Sequence, residues 1–173
     1  MRSASTAFLL TMILGACVGK SDPASHTQVQ RESAPADPKA LPAPPERAKP
    51  EFVKAGSGDA AGAVKAAIAA AGGERKVLVY VGAEWCEPCT RFHEAVEAGE
   101  LDDALLGVQF VEFDSDHDRD RLEAGGYDGE LIPRFVVPGN DGTPSDQRIE
   151  GGIKGEGAVE HIMARLAPLV ASG

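Results

Sequence analysis

Apolar residues are arranged in three different ways along this chain of 173 residues. Thr6–Ala16 is an almost continuous apolar run, and residues 18–54 show no apolar periodicity. From about residue 57 onward, apolar positions recur at the spacings of helices and strands. The pattern therefore predicts three segments, at 1–16, 17–56 and 57–173, of which the last is long enough to form one folded domain.

The third segment begins with a predicted helix followed by a predicted buried strand. Residues 59–71 are rich in alanine, with Ser57 or Asp59 as a candidate N-cap and Gly72-Gly73 as a stop signal. Val77–Val81 is a continuous apolar run, which is typical of a strand buried on both faces of a sheet.

Helical and extended patterns then alternate to the end of the chain. Further helices are predicted at 86–98, 100–106, 116–124 and 157–170. Further strands are predicted at 108–113, 135–137 and 147–150, the last two around a turn at 139–142. This alternation predicts an α/β domain, with a small mixed β-sheet that has helices on both faces.

The first 17 residues predict export and lipid attachment. Arg2 precedes the apolar run, which is too short to span a bilayer as a helix but suits the core of a secretory signal. The run ends in Leu14-Gly15-Ala16-Cys17, which resembles the bacterial lipoprotein signal, where cleavage occurs before a lipidated cysteine. The resemblance implies a protein of the bacterial cell envelope, anchored to a membrane through lipid on Cys17 and facing the periplasm or the exterior. The alternatives are an ordinary signal peptide, or a membrane anchor with an incidental cysteine.

The second segment is predicted to be a flexible tether. Residues 18–54 contain seven of the 12 prolines, together with many Ala, Ser and Gln residues and mixed charges. Such a composition cannot bury enough apolar surface to offset the entropy of ordering it. A flexible coil of this length has a root-mean-square reach of roughly 30–35 Å.

The charge distribution argues against nucleic acid as a partner. The formal net charge is −10, and residues 57–173 carry 22 Asp and Glu against 10 Lys and Arg. An acidic surface repels the phosphates of nucleic acids and anionic lipid head groups. We therefore expect no nucleic-acid partner.

Candidate chemistry is concentrated in one pair of cysteines. With Cys17 assigned to the lipid, Cys86 and Cys89 form a single Cys-x-x-Cys pair that follows the predicted buried strand and opens a helix. Free backbone N–H groups and the helix dipole favour a thiolate there, and Pro88 is tolerated in a first helical turn. We predict Cys86, at the exposed start of the helix, as the attacking nucleophile. Cys89, one turn further and less accessible, is predicted to be the resolving thiol.

The segment VLVYVGAEWCEPC at 77–89 resembles the strand, tryptophan and active-site dithiol of the thioredoxin family. Leu131-Ile132-Pro133 resembles the cis-proline loop of that family, and Gly151-Gly152 resembles its glycine turn beside the site. The resemblance implies a thioredoxin fold and a thiol–disulfide oxidoreductase whose redox-active disulfide is Cys86–Cys89, with no other cofactor. It also implies a substrate-binding surface formed by Trp85, Ile132, Pro133 and Gly152.

Three positions near the dithiol depart from the family pattern. Many thioredoxins pair a buried Asp in this strand with a Lys on the next, and alignment puts Tyr80 and Phe110 at those positions. This argues against proton transfer to Cys89 through a buried carboxylate. Glu87 is expected to point into solvent and to repel a Cys86 thiolate by about 0.5–1.4 kcal/mol. Because a destabilised thiolate makes a dithiol more reducing, Glu87 favours a reductase.

These features predict an extracytoplasmic reductase of protein disulfides that is recharged by a membrane electron donor. Two alternatives stay open: a disulfide-forming oxidase, and a non-catalytic binding module that holds a partner through the Pro133 loop. A zinc site would need His93 as a third ligand beside the two cysteines. Because the sequence offers no second cysteine pair, we expect no metal and assign His93 to the surface of the helix.

Overall fold

The structure is a computed structural model and describes residues 48–172. The predicted signal segment, the predicted lipidation site at Cys17 and the predicted tether up to residue 47 lie outside the described residues. Within the described range, no helix is long and apolar enough to cross a membrane.

The described residues form five strands and four helices. The strands are β1 (Glu51–Lys54), β2 (Lys76–Gly82), β3 (Val108–Asp114), β4 (Arg134–Pro138) and β5 (Pro144–Glu150). The helices are α1 (Ala60–Ala71), α2 (Glu87–Glu97), α3 (Arg119–Gly125) and α4 (Ala158–Ala171).

All five strands belong to one mixed sheet, in the order β1-β3-β2-β4-β5. β3 is parallel to both β1 and β2, whereas β4 is antiparallel to β2 and to β5. With helices on both faces, this order and these directions are those of the thioredoxin fold. The predicted fold class is confirmed.

The alternation of side chains along β2 divides the core into two apolar clusters. Leu78 and Tyr80 point to the face that α2 and α4 cover, and Val79 and Val81 point to the face that α1 and α3 cover. β2 lies in the middle of the sheet and is buried almost throughout, as its continuous apolar run predicts. This central strand leads directly into the candidate site.

The helix predicted at 59–71 is confirmed, together with its end signals. The Asp59 side chain accepts a hydrogen bond from the backbone N–H of Gly62 at 2.7 Å. Gly72 ends the helix in the left-handed conformation, with φ 60°, which favours glycine. Capping interactions between residues close in the sequence are therefore sufficient to define both ends of α1.

β1 corrects the predicted start of the domain. Residues 51–54 were assigned to the tether, yet they pair with β3 from Glu51↔Gln109 to Lys54↔Glu112. The strand has only four residues, follows Pro50 and lies at an edge of the sheet. Backbone hydrogen bonds to β3, more than 50 residues further along the chain, stabilise β1. A strand formed in this way needs no hydrophobic pattern of its own, so the local sequence does not predict it.

Two predicted helical segments also differ from the structure. Residues 100–106 form consecutive turns rather than a helix. The helix predicted at 116–124 begins only at Arg119, because the Asp114 and Asp118 side chains bond to backbone N–H groups within 114–117. Asp side chains that bond nearby backbone groups favour turns over helix, which explains the late start.

Candidate active site

The dithiol lies where the central strand passes into α2. β2 ends at Gly82, and Cys86 is the N-cap of α2, with its backbone N–H bonded to the carbonyl of Ala83 at 3.1 Å. The Cys86 carbonyl accepts the first helical hydrogen bond, from Thr90 at 3.0 Å. Cys86 and Cys89 are joined by a disulfide, with their Cα atoms 5.2 Å apart.

Both cysteines are buried in this disulfide form. Cys86 is 4% exposed and Cys89 is 2% exposed. The predicted exposure of Cys86 is therefore wrong here, because both residues belong to the apolar cluster beneath α2 and α4.

The start of α2 provides a favourable environment for a thiolate at Cys86. The Cys86 side chain makes no capping hydrogen bond. The second residue of the helix is Pro88, which has no backbone N–H. The backbone N–H groups of Glu87 and Cys89 lie in the first turn, where N–H groups have no acceptor within the helix. These groups and the helix dipole stabilise negative charge at the N-cap.

Three predicted site residues from distant parts of the chain meet beside the dithiol. The Ile132–Pro133 peptide bond is cis, as the family resemblance implies, and the Pro133 carbonyl accepts a bond from Gly151 N–H at 2.9 Å. A Cβ atom at Gly152 would lie 2.9 Å from Pro88 Cβ and 3.5 Å from Pro133 Cδ. Only glycine fits at 152 without displacing one of these prolines.

Exposed apolar side chains surround this meeting point. Trp85 is 69% exposed, and its indole Nε1–H donates to Asp116 Oδ2 at 2.6 Å. Leu131 is 58% exposed and Ile153 is 47% exposed, whereas Ile132 is half-buried. Sequence reasoning selected Trp85 and Ile132 but missed Ile153, whose only signal is an apolar residue directly after the glycine pair.

Buried Arg134, which sequence reasoning also missed, anchors the Pro133 loop from within. Its guanidinium donates to the carbonyl oxygens of Tyr127 at 2.8 Å and Leu131 at 3.2 Å. Its Nε lies 3.4 Å from Glu150 Oε1 on β5. A side chain at Gly129 would collide with the guanidinium, so the loop folds closely around this cation.

Glu87 does not point freely into solvent as predicted. Its carboxylate accepts a hydrogen bond from Arg91 Nε at 2.9 Å and another from the backbone N–H of Gly155 at 3.1 Å. The bond from Arg91, and then that from Gly155, lower the pKa of Glu87. Glu87 therefore links α2 to the segment before α4, and the cation of Arg91 partly offsets its charge.

The alignment of Phe110 with the polar partner position is also wrong. Tyr80 lies opposite Glu112 in the β2–β3 register, whereas Phe110 lies opposite Leu78. Tyr80 is 1% exposed, and burial together with the Glu112 charge raises the pKa of its phenol above the usual range. A carboxylate on β3, rather than on β2, thus lines the same pocket as Cys89.

His93 belongs to the same group of residues, although the sequence analysis assigned it to the helix surface. Its Nε2 lies 2.8 Å from Glu112 Oε1, and its ring stacks on Phe52 with centroids 3.7 Å apart. His93, Glu112, Tyr80 and Cys89 all line one pocket. The four-residue spacing from Cys89 to His93 was the only sequence signal for this arrangement.

No protein-family model matches the chain. No curated protein matches it. Among solved structures, the chain is similar to the thioredoxin of Trichomonas vaginalis, with 22% identity over 69% of this chain and 95% of that chain and a TM-score of 0.46. It is also similar to a mutant thioredoxin from Halobacterium salinarum, with 19% identity over 72% and 89% of the two chains and a TM-score of 0.44. The oxidised thioredoxin of Plasmodium falciparum gives 24% identity over 60% and 88%, with a TM-score of 0.39.

Proposed function

We propose that this protein is a lipid-anchored, extracytoplasmic thiol–disulfide oxidoreductase that works as a reductase of protein disulfides. The observation that carries the proposal is the Cys86–Cys89 disulfide, held at the N-terminus of α2 beside Pro88, Gly152 and the cis-proline Pro133. A reversible disulfide at this position is suited to exchange with a second disulfide.

In the reduced protein, the Cys86 thiolate attacks one sulfur of a substrate disulfide and releases the other as a thiol. Cys89 then attacks the Cys86 sulfur of the mixed disulfide, which forms the Cys86–Cys89 bond and releases the second substrate thiol. Two electrons pass from the dithiol to the substrate. A membrane electron donor would reduce the protein again.

The surface around the dithiol suits an extended protein segment that carries a disulfide. Trp85, Leu131 and Ile153 expose apolar side chains next to the cysteine pair, the Pro133 loop and the glycine pair. Such side chains contribute binding energy through buried apolar area, with little dependence on the substrate sequence. We therefore expect a range of extracytoplasmic proteins as substrates.

The reducing direction is supported by the charges near Cys86. Glu87 stands between the cysteines, and its neighbour Glu84 is exposed. Arg91 is paired with Glu87, so it adds little net positive field at the thiolate. Strongly oxidising proteins of this fold depend on a heavily stabilised thiolate. Here the helix N-terminus favours the thiolate, and the cations Arg91 and Lys154 act on Glu87, whose pKa they lower.

Two measurements on the full-length protein test the proposal. With dithiothreitol as donor, we expect catalysis of insulin disulfide reduction. In glutathione buffers, we expect a Cys86–Cys89 potential nearer to about −270 mV than to about −120 mV. A potential near the second value would overturn the reductase assignment in favour of an oxidase. Absence of any exchange would favour a binding module.

A further inference from the structure

A pocket of about 560 Å³ lies behind the dithiol, between the ends of β2 and β3 and the starts of α2 and α3. Of the two active-site cysteines, Cys89 is the one that lines it. The pocket is large compared with the roughly 30 Å³ that one water occupies in the liquid, and its lining is partly polar. It therefore gives solvent and protons a route to the resolving cysteine.

His93 lies one helical turn after Cys89 on α2, and residues with this spacing have Cβ atoms about 5–6 Å apart. Three contacts define the orientation of its ring. Nε2 lies 2.8 Å from Glu112 Oε1, the ring stacks on Phe52, and its edge meets Tyr80 with centroids 5.3 Å apart. The imidazole is thus held in a fixed orientation within the pocket that Cys89 also lines.

The remaining charged side chains that line the pocket are Lys54, Glu84, Asp114, Asp118 and Arg121. Asp118 pairs with Arg121 at 2.9 Å, and Asp114 accepts the backbone N–H groups of Asp116 and His117. Lys54 and Glu84 are exposed at the rim. Burial and the Glu112 charge raise the pKa of the Tyr80 phenol, so Tyr80 stays protonated and cannot accept the thiol proton. His93 with Glu112 is the remaining pair that can accept a proton near Cys89.

We propose that His93, oriented by Glu112, accepts the proton of the Cys89 thiol when Cys89 resolves a mixed disulfide. The inference deepens the proposed function and rests on it for the identity of the exchange step. Glu112 Oε1 lies 2.8 Å from Nε2, so the proposed tautomer carries its proton on Nε2 and takes the thiol proton on Nδ1 through pocket water. Imidazole is the side chain best suited to proton exchange near neutral pH.

The step is balanced without any further reactant. The Cys89 sulfur gives its proton to His93 and attacks the Cys86 sulfur, forming the Cys86–Cys89 bond. The bond between Cys86 and the substrate sulfur breaks, and the electron pair leaves with that sulfur. The departing thiolate receives the proton from the His93 imidazolium, which restores neutral imidazole. His93 is the proton acceptor in this scheme, and Glu112 is a positioning residue.

Stopped-flow absorbance with dithiobis(nitrobenzoate) separates the two exchange steps in the reduced full-length protein. Attack by Cys86 releases the first coloured thiolate at a rate proportional to reagent concentration. Resolution by Cys89 releases the second at a rate independent of that concentration. We expect His93→Gln to slow the second phase about tenfold or more at pH 6–7, consistent with general-base catalysis, and to change the first phase less than twofold.

The pH dependence distinguishes proton transfer from a structural defect. Hydroxide in solution replaces His93 as the proton acceptor as the pH rises, so the deficit of His93→Gln should shrink steadily between pH 7 and pH 10. Glu112→Gln, which retains an oxygen acceptor for Nε2–H, should slow the same phase by a smaller factor. His161→Gln changes a histidine on α4 that does not line the pocket, and should leave both phases unchanged.

A wild-type rate for the second phase in His93→Gln would overturn the inference. So would a deficit that stays the same from pH 7 to pH 10, because that would indicate altered packing. His93→Phe, which keeps a ring on Phe52, guards against a folding defect and should reproduce the deficit. These tests use a chemical disulfide, so they remain decisive even if the wild-type protein fails to reduce insulin, the result that would count against the proposed function itself.

Discussion

The Glu87 carboxylate lies 2.9 Å from Arg91 Nε, one turn further along α2, and it also accepts the backbone N–H of Gly155 at 3.1 Å. Both bonds lower the pKa of Glu87, so the carboxylate is ionised at neutral pH. The Cys86 thiolate therefore experiences an ion pair rather than an isolated negative charge. The two members of the pair should shift the redox potential in opposite directions.

We predict that Glu87→Gln raises the Cys86–Cys89 potential by about 10–30 mV, because 30 mV corresponds to about 1.4 kcal/mol for two electrons. Arg91→Gln should lower it by a comparable amount, since uncompensated Glu87 destabilises the thiolate. The double variant should lie near the wild type. Equilibration with glutathione buffers at low salt measures all four proteins. A shift in the same direction for both single variants would show that helix packing, not charge, sets the potential.

The different roles of the two cysteines predict that their alanine variants behave differently. Cys89→Ala should keep the nucleophile and accumulate mixed disulfides between Cys86 and substrate proteins. Cys86→Ala should lose exchange activity, because Cys89 lies within the first turn of α2 and lacks the N-cap position that favours a thiolate. Non-reducing gels of alkylated envelope fractions detect the adducts. Adducts that form with Cys86→Ala and not with Cys89→Ala would reverse the assignment.

Tyr80 is predicted to be sensitive to charge and tolerant of losing its hydroxyl. Tyr80→Asp would place a carboxylate in the core opposite Glu112, and an unpaired buried charge costs on the order of 3–5 kcal/mol. Burial raises the pKa of a carboxyl group above its unfolded value of about 3.9, so the loss should grow as pH rises above that value. Tyr80→Phe keeps the ring contacts with Phe52 and Phe135 and serves as the control.

Thermal unfolding at pH 4.5 and 7 measures this effect. We expect a clearly lower Tm for Tyr80→Asp at pH 7, a smaller deficit at pH 4.5, and little change for Tyr80→Phe. An unchanged Tm for Tyr80→Asp would contradict the buried position of this side chain beside the dithiol.

The Arg134–Glu150 ion pair beneath the Pro133 loop is predicted to contribute more to the free energy of unfolding than an exposed ion pair does. Arg134 is buried, and Glu150 also accepts the backbone N–H groups of Glu130 and Leu131. Glu150→Gln removes the carboxylate that lies 3.4 Å from the guanidinium and leaves only the more distant charge of Asp128. It should cost about 1–3 kcal/mol of unfolding free energy. Arg119→Gln removes an exposed pair with Asp116, at 3.7 Å, and should cost less than about 0.5 kcal/mol.

Denaturant unfolding measures the stability of the two variants, and the rate of insulin reduction shows whether the Pro133 loop keeps its function. Glu150→Gln should also lower exchange activity, because Arg134 holds the Leu131 carbonyl next to the cis-proline. Equal stabilities for the two variants would show that the Glu150 carboxylate does not stabilise buried Arg134.

Membrane attachment is predicted to depend on one residue outside the described range. Cys17→Ser should abolish lipid attachment and processing, so that the protein leaves the detergent phase in a phase-separation assay. Cys86→Ser is the matched control, because it removes a different cysteine and should remain lipid-anchored. If Cys17→Ser is processed and partitions like the wild type, the lipoprotein assignment is wrong.

Local signals in the sequence were sufficient for most of the helices and strands. Asp59 and Gly72 mark the ends of α1 because capping bonds involve residues only a few positions apart. The apolar run of β2 and the Cys-x-x-Cys pair after it placed the dithiol at a strand–helix junction. The resemblance of 131–133 to a cis-proline loop predicted the position and isomer of Pro133.

The tertiary structure decided what surrounds the dithiol. Glu87 meets Gly155, Tyr80 meets Glu112, and Arg134 meets Glu150, and each contact joins segments that are distant in the sequence. Strand register selects Glu112 rather than Phe110 as the neighbour of Tyr80. The sequence by itself determined the cysteine chemistry and the order of elements, because these depend on residue type and short-range periodicity. The charges and proton acceptors near the cysteines depend on how β1, β3 and the segment before α4 pack, which only long-range contacts decide.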